Sequence, residues 1–370
     1  MIKNKRHHFF WFLAIAFILA SCTSGNQPTE KETTEKPAIV KKSQRIKVSN
    51  YGNEKLSEYG FFTGKLSDLI PAKGVIPYEL NTPLFSDYAF KKRFIRLPKE
   101  GNMVFNAKDP FDFPTGSILI KNFYYPTDFR KPQADRRIIE TRLLILEKKG
   151  WKALAYVWND EQTEAWLEVA GDNTDVTWTD FNGNLKKINY SVPTVTQCKS
   201  CHSKNNELMP IGPSARQLNK TITSGKAENQ LIQWEKTGIL SGLPEIQKVQ
   251  KLAQWDDPKG GKIAERARAL LDINCGHCHN ENGPAKTSGL NLDIFENDLH
   301  KLGIRKPPIA AGRGSGGLKY AIVPGKPEES ILYFRMKSND PGIMMPEIGR
   351  KMVHEEGLEL IKEWIKLMKN

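Results

Sequence analysis

Cysteine is scarce in this 370-residue chain, which has five. Histidine is scarce too: there are seven, and none lies between His8 and His202. That gap excludes a histidine-based metal site from the region around residues 50–192. The same region lacks a paired-carboxylate pattern suited to general acid–base work. No apolar run is long. The longest, residues 9–20, is short against the roughly 20 residues a spanning helix needs. The formal charge is +13, yet no dense basic block and no nucleic-acid motif occur, so a solvated lysine-rich surface accounts for the excess. Residues 311–317, Ala-Gly-Arg-Gly-Ser-Gly-Gly, lack the Gly-Lys-Ser/Thr ending of a phosphate loop.

Four of the five cysteines fall in two short strings, Cys198-Lys-Ser-Cys201-His202 and Cys275-Gly-His-Cys278-His279. Both read C-x-x-C-H, the attachment pattern of c-type haem. Two thiols at that spacing each form a thioether to one side of the porphyrin, and the adjacent histidine becomes the proximal iron ligand. The expectation is two covalently attached haem c groups, held by Cys198, Cys201, Cys275 and Cys278, with His202 and His279 on the irons. A zinc site or a pair of disulfides is the competing reading.

The fifth cysteine closes the string Leu19-Ala20-Ser21-Cys22, after a basic start and the apolar run. This describes a secretory signal over residues 1–21. The string resembles a bacterial lipobox, in which Cys22 becomes the lipidated first residue. Attachment of c-type haem outside the cytoplasmic membrane agrees with export. The expected location is the periplasmic side of a bacterial membrane, and Thr23 after the cysteine implies the outer membrane.

The rest of the chain divides by texture. Residues 22–49 are rich in Thr, Glu, Lys and Pro and read as a flexible tether. Residues 50–192 read as an antiparallel β-rich, sandwich-like domain, with extended candidates at 92–97, 117–125, 137–146, 151–158 and 165–169 and a turn at Lys148-Lys149-Gly150. Its tryptophans, Trp151, Trp158, Trp166 and Trp178, suit core packing better than sugar stacking. From 193 the expectation is a mainly α haem region: a first haem segment over 193–260, with short helices at 226–237 and 244–255, then a compact domain over 261–370. In the latter, Ile263, Ala267, Leu270 and Leu271 share a helical face just before the second motif, and Leu358, Ile361, Trp364, Ile365 and Met368 form a stripe at the C-terminus. That plan resembles a small class I cytochrome c, whose two helices cross and pack.

A six-coordinate haem needs a ligand on its far face. Met345, before Pro346 and ahead of the last helix, resembles the distal methionine of class I cytochromes, with Met344 in reserve. Met336 reads as core, His354 as a cap of the last helix, and His277 as pointing away from the iron. For the first haem the candidate is Met209, which also precedes a proline. Met103, His300, His354 or no protein ligand are the alternatives. Arg313 is a candidate propionate partner, and Lys186, Lys187, Lys199 and Lys204 a candidate docking patch.

With these residues placed, the chain resembles a family of uncharacterised bacterial dihaem c-type cytochromes over about residues 55–370. The likeness is strongest at 197–202, 211–213 with 217–219, 274–279 with 283–284, 311–317 and 344–364. It implies covalent haem and export, and no substrate. The function expected is single-electron transfer between redox partners, such as a dehydrogenase or another cytochrome, by a carrier rather than a catalyst. The alternatives are a dihaem peroxidase or small-anion dehydrogenase with one open haem, and a glycan-binding module.

Overall fold

The computed structural model describes residues 51–222, 227–309 and 311–369. The expected signal, tether and lipidated Cys22 lie outside the described residues. The N-terminal part is built on one antiparallel sheet of six strands: β1 (Val75–Tyr78), β2 (Phe90–Arg96), β3 (Ile118–Pro126), β4 (Arg136–Glu147), β5 (Gly150–Trp158) and β6 (Ala165–Glu168). Their order in the sheet follows the chain, as in a meander. The turn between β4 and β5 is the expected one, and Gly150 takes φ +107, a conformation open to glycine.

Alternation along the strands assigns side chains to two faces. Phe94, Ile120, Leu143 and Leu154 pack under the N-terminal segment, against Leu56, Phe61 and Leu69. Polar groups buried on that face satisfy one another: the Trp158 indole donates to Thr141 Oγ1 at 3.0 Å, and Thr141 donates to Asn122 Oδ1 at 2.7 Å.

The opposite face is covered at its two ends by different elements. A hairpin, β7 (Asp172–Thr179) and β8 (Leu185–Val192), lays Val176, Trp178, Ile188 and Tyr190 against Phe123 and Tyr125. At the other end α2 (Ala215–Leu218) and α3 (Gln230–Lys236) pack Leu218, Leu231 and Trp234 against Ile95 and Leu119. Between these two patches runs a row of charge, Arg93 opposite Lys121 opposite Arg142.

Two expectations change here. The sandwich becomes a single large sheet whose facing layer at one end is a two-stranded hairpin. The hairpin escapes the sequence reading because its strands are poor in apolar residues: β7 has only Val176 and Trp178 among Asp, Asn and Thr, and β8 opens with two lysines after Leu185. The helix at 244–255 shrinks to a 3₁₀ turn, Ile246–Lys248. Its backbone bonds elsewhere: Leu252 N–H donates to Arg216 O, and Asn219 Nδ2 donates to Val249 O.

In the C-terminal part, α4 (Ile263–Leu271) and α6 (Glu355–Leu367) pack through Leu270, Leu271, Ile361, Trp364 and Ile365, with Tyr333 of α5 (Ile331–Lys337) in the same cluster. These helices are joined by long turn-rich stretches, so the expected mainly α character is not what is found; helices are few. Gly283 marks one close approach, since a Cβ there would lie 2.3 Å from Cys278 O. Asp87 ties the sheet region to this part: its buried carboxylate accepts the Lys351 and Met352 amides at 2.7 and 2.8 Å.

Candidate haem site

The first motif lies on α1 (Val195–Cys201), which starts with a capping box. Thr194 Oγ1 accepts the Gln197 amide at 3.2 Å, and Gln197 Oε1 accepts the Thr194 amide at 2.9 Å. Cys198 and Cys201 then fall on one turn, with His202 at the helix end, its amide bonded to Cys198 O at 3.0 Å. The second motif follows α4 through one π turn, Asp272–Gly276, a widening that recurs at functional sites. The His279 amide closes on Cys275 O at 2.8 Å.

All four thiols are free, and all four line one cavity of about 740 Å³, bounded by the charged sheet face, both motifs and the loop around Met344 and Met345. That volume falls within the range of built ligand pockets. The motifs approach each other inside it. His277 adds to the depression of the His202 pKa, and Cys201 to the elevation of that of Cys278. Burial pushes the thiols of Cys275 and Cys278 up to about 12, so they are held protonated. Among the described residues no cluster of three or more His, Cys, Asp or Glu is placed to hold a metal ion.

Both expected proximal histidines have their outer nitrogen engaged. His202 Nδ1 lies 2.9 Å from Met209 O. A carbonyl only accepts, so Nδ1 carries the proton and Nε2 keeps its lone pair. His279 Nδ1 lies 3.0 Å from Ser288 Oγ, and that hydroxyl donates to Ala285 O at 2.8 Å; it therefore accepts from His279. Metal-bound histidines are commonly anchored in this way. Burial foremost pushes His202 down to about 3 and His279 to about 4, so both rings are neutral.

Met209 meets the first motif through its backbone: its carbonyl accepts from His202 Nδ1, and the residue lines a small pocket beside the cavity that Cys201 and His202 also border. Met103 is fully buried in the core under α2 and α3, and His300 is exposed. Met344, Met345 and Met336 line the cavity. Arg350 organises their loop: buried, its Nη2 donates to Met345 O at 3.0 Å and Ser338 O at 2.9 Å.

His354 takes the N-cap position of α6, but its side chain makes no capping bond. Its ring stacks on Phe85 at 4.2 Å and meets the edge of Trp255 at 4.5 Å, at the cavity wall. His277 bonds through Nδ1 to Ile273 O at 3.1 Å and also borders the cavity. Arg313 is corrected as well. It is exposed, pairs with Asp340 at 2.6 Å, and stands apart from the cavity lining. Of the four docking lysines, Lys186 and Lys187 pair with Asp180 and Asp175, and Lys204 with Asp109.

The residues that the sequence reading passed over are Arg93, Lys121, Arg142 and Arg350, all on the cavity. One signal was available. Lys121 is a lone cation in the inward stripe Leu119, Lys121, Phe123, Tyr125.

Comparison with known proteins agrees with the second motif. Residues 275–347 match the family Planctomycete cytochrome C. The stretch runs from Cys275 past Met344 and Met345. The C-terminal region is therefore cytochrome c-like, which supports haem-based electron transfer and covalently bound haem c. The chain is also 40% identical over 62 residues to Piezo-type mechanosensitive ion channel component 1 of Rattus norvegicus. That stretch is 17% of this chain and spans about 2% of that protein. No solved structure matches the chain.

Proposed function

We propose that the chain is a dihaem c-type cytochrome, anchored through a lipid on Cys22 to the periplasmic face of the outer membrane, that passes single electrons between redox protein partners. The observation that carries this reading is the pairing of features on one cavity. Two C-x-x-C-H strings bring their thiols to it, and both following histidines have Nδ1 committed and Nε2 free. A buried guanidinium nitrogen of Arg93 without a hydrogen-bond partner among the described residues suits a group that brings carboxylates.

In this reading Cys198, Cys201, Cys275 and Cys278 supply neutral thiols for thioether bonds, and His202 and His279 supply Nε2 to the irons. Met345 closes the far side of the second site, with Met344 in reserve. The haem supplies an iron that cycles between ferric and ferrous states. The chain's own work is to fix the imidazole tautomers through Met209 O and Ser288 Oγ, to hold the methionine loop through Arg350, and to exclude water with Phe85 and His354. The approach of the two motifs favours a relay between the irons.

A second reading is an enzyme with one open haem. It is favoured by the lining of the cavity, whose methionines, Met336, Met344 and Met345, all come from the C-terminal part. Intact mass and electron paramagnetic resonance of protein matured in a haem-attaching host decide between them. Two haems, both six-coordinate, low-spin and inert to peroxide, are expected. A high-spin signal that changes with peroxide would shift the conclusion to catalysis, and a mass with fewer than two haems would remove the dihaem reading.

A further inference from the structure

Three cations stand abreast on the sheet face that walls the cavity. Arg93 on β2 is in register with Lys121 on β3, and Lys121 with Arg142 on β4. Like charges directly opposite one another across strands are destabilising. Lys91, two residues before Arg93 on the same strand, adds a fourth positive charge to this face. One carboxylate stands beside them: Glu140, fully buried, takes a bidentate bond from Arg142 at 2.8 and 2.5 Å and the Tyr190 hydroxyl at 2.5 Å. Asp87, the other acid within reach of Lys91, is occupied by the amides of Lys351 and Met352. From the opposite wall come Arg350, Lys351 and His354, together with Glu347, which is paired with Arg335 at 3.3 Å. The face thus holds more positive charge than it balances, and Arg93 Nη2 is buried without a partner among the described residues.

Such a row is costly as a core and useful as a receptor. Buried charge is retained where it is paired and hydrogen-bonded. Burial pushes the ammonium groups of Lys91 and Lys121 well below the usual lysine range, with neighbouring Arg93 and Arg142 adding to the effect. For Arg142, burial opposes the charge but Glu140 outweighs it and raises the pKa. Glu79, which acts on Arg93, is paired with Lys220 at 2.9 Å, and Glu140, which acts on Lys121, is bonded by Arg142 and Tyr190, so neither cation has an acid to itself. Lys121 and Arg142 line the same cavity as Cys201 and His202.

We propose that the row Arg93–Lys121–Arg142 is the propionate-binding platform of the cavity, so that the β-sheet serves as the anionic-group receptor for the haem groups. This rests on the haem reading above. Two haems bring four carboxylates, and planar guanidinium groups bind carboxylates bidentately while an ammonium offers three donors. The platform also makes the sheet part of the redox machinery. A cation at a propionate disfavours the ferric charge, so removing it lowers the midpoint potential.

The test uses the full chain matured in a haem-attaching host, as wild type, Lys121→Met, Arg93→Met and Lys121→Arg. Intact mass counts the haems, and optical redox titration at several pH values reads both midpoints. The expected result is two haems in every protein and a lowered midpoint in each methionine variant. At fixed poise the ferric-to-ferrous ratio rises about tenfold, equivalent to about 59 mV for a one-electron couple, and Lys121→Arg keeps the wild-type value. If the methionine variants lose haem, Lys121→Gln and Arg93→Gln give the same reading. Two haems with unmoved midpoints in both methionine variants would overturn the platform. Wild-type protein with fewer than two haems would instead count against the dihaem reading, with the platform judged on the remaining midpoint. Added acetate or inorganic phosphate is expected to leave the wild-type midpoints unchanged. A saturable shift abolished by Lys121→Met would assign the row to a free anionic substrate and overturn the proposal.

Discussion

At the scale of single residues, the cavity is defined by side chains whose chemistry is decided by what they touch. His354 is an example. Sequence places it beside Glu355 and Glu356, which suggests a capping role. The fold turns its ring inward onto Phe85 and Trp255, and Gly357 leaves room for it, since a Cβ there would lie 2.4 Å from His354 Nδ1. Burial, then Lys91 and Arg350, push its pKa down from 6.5 to about 3. The ring is neutral when folded and gains a proton when unfolded. The unfolded chain therefore binds more protons between those values, and stability falls as pH drops from about 6.5 toward 3. The slope from this one group approaches about 1.4 kcal/mol per pH unit. His354→Phe is expected to flatten that part of the profile in denaturant melts at about pH 7 and about pH 5; identical slopes would refute the account. The motif cysteines and histidines were legible in sequence because covalent attachment demands fixed spacing. Arg93 and Lys121 were not, because register across strands is invisible in one sequence.

At the scale of elements, composition marked the strands and periodicity the helices. The strands β2 to β6 fall within two residues of their expected bounds, since runs of aliphatic and aromatic residues between turn residues mark a strand even where both of its faces are buried. The helices α4 and α6 follow from their stripes, and Ile361, fully buried, sits at their contact. Ile361→Ala is expected to cost about 2–5 kcal/mol, and Ile361→Val about 0.5–1.5, measured by denaturant unfolding. Equal midpoints for all three proteins would show that α6 is not part of the cooperative core. The reading failed where bonds run between distant segments. The 244–255 stretch is drawn out by α2.

At the scale of the molecule, the sheet part and the C-terminal part are joined by hydrogen bonds at several points, among them Phe85 N–H to Asn274 Oδ1 at 2.8 Å and the two amides held by buried Asp87. Asp87→Ala strands the Lys351 and Met352 amides, at a cost of about 1–3 kcal/mol. Hydrogen exchange should quicken at residues 350–352 while β3 and β4 stay protected. Unchanged exchange there would mean that the junction does not depend on this carboxylate. The division into a β-rich part and a helical part was legible because composition changes near residue 193. The cavity between them was not, because it belongs to neither part alone.

The uneven field of that cavity has one more consequence. Lys121 and Arg142 act on Cys201 and His202, whereas at His279 the Arg335 guanidinium opposes Glu347, with which it is paired at 3.3 Å. The cations of the sheet thus stand nearer the first motif, and the second has a cation already joined to its own carboxylate. Under the two-haem reading, an electron shared by the two sites rests preferentially on the N-terminal one.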